Sequence, residues 1–123
     1  MNISKNKILF VDDDAQLRGM VKEQLASAGY VLDEAGDAPQ AVEMLRSGNY
    51  DLMLLDITLP GKSGMDVLKY VKEEGLRCRV IMLTGMVGLS AAVDSMKLGA
   101  DDYVTKPYNM NYLLASIERV LSN

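Results

Sequence analysis

Leu52-Met53-Leu54-Leu55-Asp56-Ile57-Thr58-Leu59-Pro60-Gly61 carries an apolar run straight into a carboxylate and then into a proline-glycine turn signal. The run has the length of a buried strand, and the turn residues behind it end that strand in a tight loop. Asp56 therefore stands where a strand opens, a position suited to a chemical group. Three other apolar runs also end in polar groups: Ile8-Leu9-Phe10-Val11 before Asp12-Asp13-Asp14, Val80-Ile81-Met82-Leu83 before Thr84, and Tyr103-Val104-Thr105 before Lys106-Pro107. In a parallel sheet all four ends lie on one edge, where open α/β folds bind ligands.

The 123 residues suffice for one domain with a core of its own, without disulfides or structural metal. A formal net charge of -4 and a pI near 4.7 argue against a general nucleic-acid surface, so DNA contact would need another domain. Cys78 is the single cysteine, which excludes an internal disulfide or a cysteine zinc site and fits a reducing cytosol. No histidine is present, which removes imidazole catalysis, a histidine metal ligand and a histidyl-phosphate donor on this chain. Met1-Asn2-Ile3-Ser4-Lys5 lacks a secretory apolar region and no run approaches a membrane span, so a soluble, cytoplasmic protein is expected.

Hydrophobic periodicity alternates between strand and helix five times. Strands are expected near residues 7 to 12, 31 to 35, 51 to 56, 79 to 84 and 102 to 105, the second interrupted by Asp33 and Glu34. Continuous Val/Ile/Leu/Met runs indicate strands covered on both faces, as parallel strands are. Leu17, Met20, Val21, Leu25 and Ala28 recur at helical spacing behind Asp13 or Asp14 as cap, and Gly29 stops that helix. Asp37-Ala38-Pro39 opens a second helix with Val42 and Leu45 inward and Gly48 beyond. Ser63 caps a third carrying Met65, Leu68 and Val71 to Gly75. Leu89, Val93 and Met96 mark a fourth, ended by Gly99, and Leu113, Ile117 and Leu121 a fifth. The pattern βαβαβαβαβα means a doubly wound α/β fold on a five-stranded parallel sheet, and the common strand order 2-1-3-4-5 brings the ends of the first and third strands together.

With those strands adjacent, Asp12, Asp13 and Asp56 converge on one crevice. Two carboxylates about 4 Å apart repel by roughly 4 kcal/mol even at an effective dielectric of about 20. Such a cluster needs a cation. Oxygen ligands alone select a hard ion, and few protein ligands with several retained waters suit Mg2+. Lys106 would add a fixed positive charge from the fifth strand, with the Thr84 hydroxyl between.

This set resembles the receiver domain of two-component response regulators over essentially the whole chain. The motifs agree in order and spacing: Val11-Asp12-Asp13, Leu55-Asp56 with Pro60-Gly61 following, Leu83-Thr84-Gly85, and Gly99-Ala100-Asp101-Asp102-Tyr103-Val104-Thr105-Lys106-Pro107. Each is weak alone, and jointly they are specific. The resemblance implies a single receiver domain over residues 1–123 with a flavodoxin-like (βα)5 fold. It implies a phosphoacceptor at Asp56 supplied by a sensor histidine kinase. Mg2+ would be held by Asp13, Asp56 and the Thr58 carbonyl, with Asp12 assisting through water. Lys106 would pair with the phosphoryl oxygens, and Lys106-Pro107 would be cis, an isomer that only about 5–6% of X-Pro bonds adopt. Thr84 and Tyr103 match the family's switch residues, and the fourth helix, fifth strand and fifth helix its output face. Met86, Val87, Leu89, Tyr103 and Tyr108 are expected contacts there, for an effector or for a phosphorylation-dependent homodimer. The domain would catalyse only its own phosphorylation and dephosphorylation.

Taken singly, these residues have simpler readings: Asp12 to Asp14 a capped helix start, Thr84 and Tyr103 packing residues, Lys106 a solvated lysine, the methionines core. Asp14 reads as structural, and Asp51, Asp101 and Asp102 as solvated. A haloacid-dehalogenase-like phosphatase also uses an aspartate nucleophile, a threonine and a lysine, with Asp12 as nucleophile, but it leaves Asp56 without a role. A flavin binder wants glycine or hydroxyl residues where the first turn is acidic. Thr58 and Met86 occupy family positions that tune hydrolysis, and methionine cannot orient water, so a long-lived acyl phosphate is expected. Ala92 to Ala100 is similar to receivers attached to sigma-54-dependent activators. A receiver from a transcriptional regulator is therefore expected, with a stand-alone response regulator as the alternative.

Overall fold

The computed structural model describes residues 6–59, 63–85 and 89–122, with Leu89 described by its backbone alone. Ten elements alternate along the chain: β1 (Lys7–Val11), α1 (Ala15–Ser27), β2 (Val31–Ala35), α2 (Ala38–Ser47), β3 (Leu52–Asp56), α3 (Gly64–Glu73), β4 (Arg79–Thr84), α4 (Leu89–Lys97), β5 (Asp102–Thr105) and α5 (Met110–Ser122). The strands pair in parallel in the order β2-β1-β3-β4-β5, as expected from the sequence. Register aligns Val11 with Leu55 across β1 and β3, so Asp12 and Asp56 emerge side by side.

Alternate strand residues feed two cores. Leu9, Val11, Met53, Leu55, Val80 and Met82 meet α2, α3 and α4, whereas Ile8, Phe10, Leu54, Ile81, Leu83 and Val104 meet α1 and α5. Every residue of β3 is buried, which explains why its sequence shows no polar alternation. Each fully buried aliphatic side chain contributes about 1.5–3 kcal/mol, enough in sum to hold the loops at the sheet edge in register.

Local chemistry starts and stops the helices. The Asp14 carboxylate accepts from the Leu17 N–H at 3.1 Å, Asp37 from Gln40 at 2.8 Å, and the Ser63 hydroxyl from Met65 at 3.0 Å. Gly29 and Gly99 end α1 and α4 at φ 98° and 105°, the left-handed region that glycine enters without penalty.

Several surface assignments differ from the sequence reading. Met20 is 62% exposed and Ala28 is exposed, so α1 buries only Val21 and Leu25 completely. In α4, Val93 and Met96 face outward, while Ala92 and Ser95 form the inner face. Small residues let α4 lie close to the sheet, a fit that hydrophobic spacing does not report. Asp51 accepts from the Lys7 N–H and Asp101 from the Val80 N–H, each at 2.8 Å. Asp102 accepts from Ser116 at 2.6 Å and pairs with Arg119. These three carboxylates fasten strand beginnings and α5, more than solvation alone. Among the described residues, no helix is long and apolar enough to cross a membrane.

Candidate functional site

Asp12 follows β1 directly and is completely buried. Its N–H donates to the Ala35 carbonyl at 3.1 Å, extending the ladder one residue past the strand. Both carboxylate oxygens are engaged: Oδ1 accepts from the Asp14 N–H at 3.0 Å, and Oδ2 from Lys106 Nζ at 2.6 Å. Arg18 donates to the Asp12 carbonyl at 2.6 Å and pairs with Glu34 at 3.0 Å, fixing the turn from below. Asp13 is exposed.

Asp56, the last residue of β3, is 7% exposed. Its Oδ1 accepts from the Thr58 N–H at 3.1 Å and its Oδ2 from Lys106 Nζ at 3.1 Å. One carboxylate oxygen each from Asp12, Asp13 and Asp56 lies within 4.8 Å of the others. Burial raises the Asp56 pKa above its ordinary value, against the opposing pull of Lys106 and the Thr58 N–H. For Lys106, burial works to lower the pKa, but the Asp12 hydrogen bond and the charges of Asp56 and Asp12 raise it on balance, so it stays a cation.

Lys106 reaches this position from the end of β5. Its N–H donates to the Thr84 carbonyl at 2.6 Å, and the Lys106-Pro107 bond is cis. Thr84 is 1% exposed, and its hydroxyl donates to the Gly85 carbonyl at 3.0 Å. Tyr103 is half-buried on the α2, α3 and α4 side, and Tyr108 packs into the opposite core against α1 and α5. Both tyrosines are half-buried and pack on opposite sides of the sheet. Met86 and Val87 lie outside the described residues, as does the Leu89 side chain.

Two residues, Gly64 and Arg18, escaped the sequence reading, and a third, Tyr108, was read only as an output-face contact. Gly64 opens α3 against the end of β3, where a Cβ would fall 2.1 Å from the Asp56 carbonyl oxygen. Arg18 braces the acidic turn, and Tyr108 encloses its hydroxyl near that turn. A glycine directly behind the Ser63 cap was the available signal for Gly64.

Three carboxylates against one ammonium leave a formal charge of -2, and the side-chain atoms clustered there are carboxylate oxygens. That set fits a hard divalent cation. Asp13, the carboxylate without a basic partner among the described residues, is the one most open to such an ion. Asp12 and Asp56 each have both carboxylate oxygens in a hydrogen bond, but Asp12 is completely buried whereas Asp56 is 7% exposed beside a fixed cation, which leaves Asp56 the more accessible nucleophile.

The family model described as response regulator receiver domain matches residues 8–118. The chain is 42% identical over 111 residues to the transcriptional regulatory protein DltR of Streptococcus agalactiae, covering 90% of this chain and 50% of DltR. It thus spans about half the length of the curated transcriptional regulators it matches. It is 36% identical over 118 residues to the chemotaxis protein CheY of Bacillus subtilis, covering 95% of this chain and 98% of CheY. The crystal structure of a CheY-like receiver domain protein from Methanospirillum hungatei superimposes with a TM-score of 0.89 at 33% identity, over 97% of this chain and 95% of that one.

Proposed function

This chain belongs to the response regulator receiver domain family of two-component systems, and on that premise we propose that residues 1–123 form one receiver domain whose phosphoacceptor is Asp56. A partner histidine kinase donates the phosphoryl group: an Asp56 carboxylate oxygen attacks phosphorus, the P–N bond to the donor imidazole breaks, and the imidazole keeps the electron pair. The observation that carries this reading is Lys106 Nζ held between Asp12 and Asp56, at 2.6 and 3.1 Å, beside an exposed Asp13.

A carboxylate is a weak nucleophile, so the work lies in alignment and in stabilising phosphoryl charge. The Thr58 N–H holds one Asp56 oxygen at 3.1 Å and so orients the other. Lys106 pairs with the phosphoryl oxygens once they displace its contact with Asp56. Asp13, Asp56 and the Thr58 carbonyl would hold Mg2+, with Asp12 assisting through water, and such an ion would supply positive charge against the phosphoryl oxygens. The acyl phosphate then draws the Thr84 hydroxyl away from Gly85, and Tyr103 turns inward. Populations shift because the phosphate contacts exist in the active state. Thr58 and Met86 set the lifetime of the phosphate, and Met86, unable to orient water, makes it long.

The effector addressed is that of a transcriptional regulator, as in DltR, read through the α4, β5 and α5 face, with phosphorylation-dependent pairing of two copies as the route. The match to nearly all of CheY favours a second reading, a stand-alone switch acting on a separate protein.

Intact-mass spectrometry with site mapping after incubation with acetyl phosphate tests the chemistry. A gain of one phosphoryl group that requires Mg2+ and is lost in Asp56→Asn is expected. An adduct on Asp12 would overturn it in favour of the phosphatase reading.

A further inference from the structure

Asp13 shares the acidic cluster with Asp12 and Asp56, yet among the described residues its exposed carboxylate makes no hydrogen bond or ion pair of its own. Its place in the crevice therefore depends on the backbone that carries it. A peptide unit is planar, so the Asp12 carbonyl and the Asp13 N–H turn as one body, and whatever fixes that carbonyl fixes where the Asp13 Cα lies. Arg18, near the start of α1, is the group that does so. Its Nη1 donates to the Asp12 carbonyl at 2.6 Å, and its Nε donates to Glu34 Oε1 on β2 at 3.0 Å. The guanidinium is rigid and planar, so two bonds set its position and its plane together. Its other surroundings hold it too: a Cβ at Gly36 would lie 3.3 Å from Nη1, and the side chain is only 18% exposed. Because Glu34 lies opposite Phe10 in the β1–β2 register, the fork ties the acidic turn to the sheet.

We propose that Arg18 is a positioning residue for the divalent cation: by holding the Asp12–Asp13 peptide unit against β2 it keeps the Asp13 carboxylate within reach of Asp12 and Asp56. The inference rests on the Mg2+ reading of the acidic cluster and goes beyond it, since Arg18 contributes no ligand atom. Position and charge act in opposite directions here. A cation near the cluster repels a divalent ion, so if charge alone mattered, removing it would strengthen Mg2+ binding. Glu34, paired with Arg18 at 3.0 Å, offsets that charge and leaves the positional effect the larger. Outer partners that orient metal ligands are worth about ten- to a hundredfold in affinity.

The test titrates MgCl2 into wild type, Arg18→Met, Arg18→Lys and the control Arg79→Met, following amide NMR shifts, with thermal unfolding in EDTA alongside. Arg79 is matched in kind: at the start of β4, away from the acidic cluster, its guanidinium also donates to a main-chain carbonyl, that of Val120. Arg18→Met is expected to bind Mg2+ about tenfold more weakly. Arg18→Lys keeps the charge but has no fork to reach Asp12 and Glu34 together, so it should also bind more weakly, by about threefold or more. Arg79→Met should unfold at a lower temperature in EDTA yet keep the wild-type affinity. Unchanged or tighter Mg2+ binding in Arg18→Met overturns the proposal; if that variant does not fold, wild-type affinity in Arg18→Lys overturns it instead. So does an equal loss of affinity in Arg79→Met, which would mean that affinity follows stability alone. Absence of Mg2+ binding by wild type overturns the reading of the acidic cluster and this proposal with it.

Discussion

Lys106 Nζ lies 2.6 Å from Asp12 Oδ2, closer than its 3.1 Å approach to Asp56 Oδ2. The lysine is held more closely by Asp12 than by Asp56, which, on the proposed chemistry, leaves the Asp56 contact the easier one to exchange for a phosphoryl oxygen. Lys106→Ala would strand the Asp12 carboxylate, completely buried, with one oxygen unpaired. Breaking a buried pair from one side costs about 3–5 kcal/mol. The Lys106 side chain is 26% exposed, so water can enter, and a loss of about 2–3 kcal/mol is expected in urea unfolding with EDTA. Added Mg2+ should restore part of it. A variant as stable as wild type in EDTA would show that the pair adds nothing to the fold.

Removing Asp13 should act in the opposite direction. Its carboxylate shares a 4.8 Å cluster with Asp12 and Asp56 and is exposed, so Asp13→Asn relieves repulsion without breaking a core contact. At water-like dielectric the gain is small, and a rise of roughly 3–5 °C in unfolding temperature without divalent ions is expected. The stabilisation that wild type gains from Mg2+ should disappear. Stability and function then trade against each other at one residue. An Asp13→Asn protein still stabilised by Mg2+ to the wild-type extent would remove Asp13 from the ligand set.

Legibility in the sequence follows from which interactions are local. β1, β3 and β4 were readable because their apolar runs are buried on both faces, and the polar residues that end these runs and the shorter β5 pointed to Asp12, Asp56, Thr84 and Lys106 before any geometry. The α4 helix was not, since Val93 and Met96 have the spacing of an inner face while Ala92 and Ser95 fill it by being small. Asp101 and Asp102 looked solvated because their partners, Val80, Ser116 and Arg119, are distant in the chain. Tyr108 packs beside residues of α1 and α5 that are distant from it or lie beyond its loop, contacts that no periodicity encodes.

Gly64 carries a tight steric requirement beside Asp56, the proposed phosphoacceptor. A Cβ there would meet the Asp56 carbonyl oxygen at 2.1 Å and the Asp56 carbonyl carbon and Ile57 Cα at 3.0 Å, all backbone atoms that cannot rotate away. The Gly64 N–H also donates to the Ile57 carbonyl at 2.7 Å, so the start of α3 is clasped to the end of β3. Gly64→Ala must open that clasp, at a cost of about 2–4 kcal/mol. Because a misplacement near 1 Å can cost about a hundredfold in rate, phosphorylation by acetyl phosphate should slow ten- to a hundredfold even where circular dichroism shows the variant folded. Wild-type rate and stability in Gly64→Ala would mean that α3 can shift without disturbing Asp56.

Cys78 provides a pH-dependent readout at the sheet edge opposite the acidic site. The residue is 6% exposed, and burial, with Asp51 and Asp101 adding to it against Lys72, pushes the thiol pKa up to about 12 from an ordinary value of 9.0. An acid whose folded pKa is raised favours the fold only while it stays protonated. Between about pH 9 and 12 the unfolded chain releases this proton and the folded chain keeps it, so stability should fall with rising pH, by up to about 1.4 kcal/mol per unit from this group. Cys78→Ala should lose about 1 kcal/mol at pH 7 through lost packing, yet decline less steeply above pH 9. Iodoacetamide at neutral pH should label wild type only at the rate at which the native state opens, and labelling should accelerate in urea in step with unfolding. Rapid alkylation of the native protein would place the thiol at the surface and cancel the predicted alkaline slope.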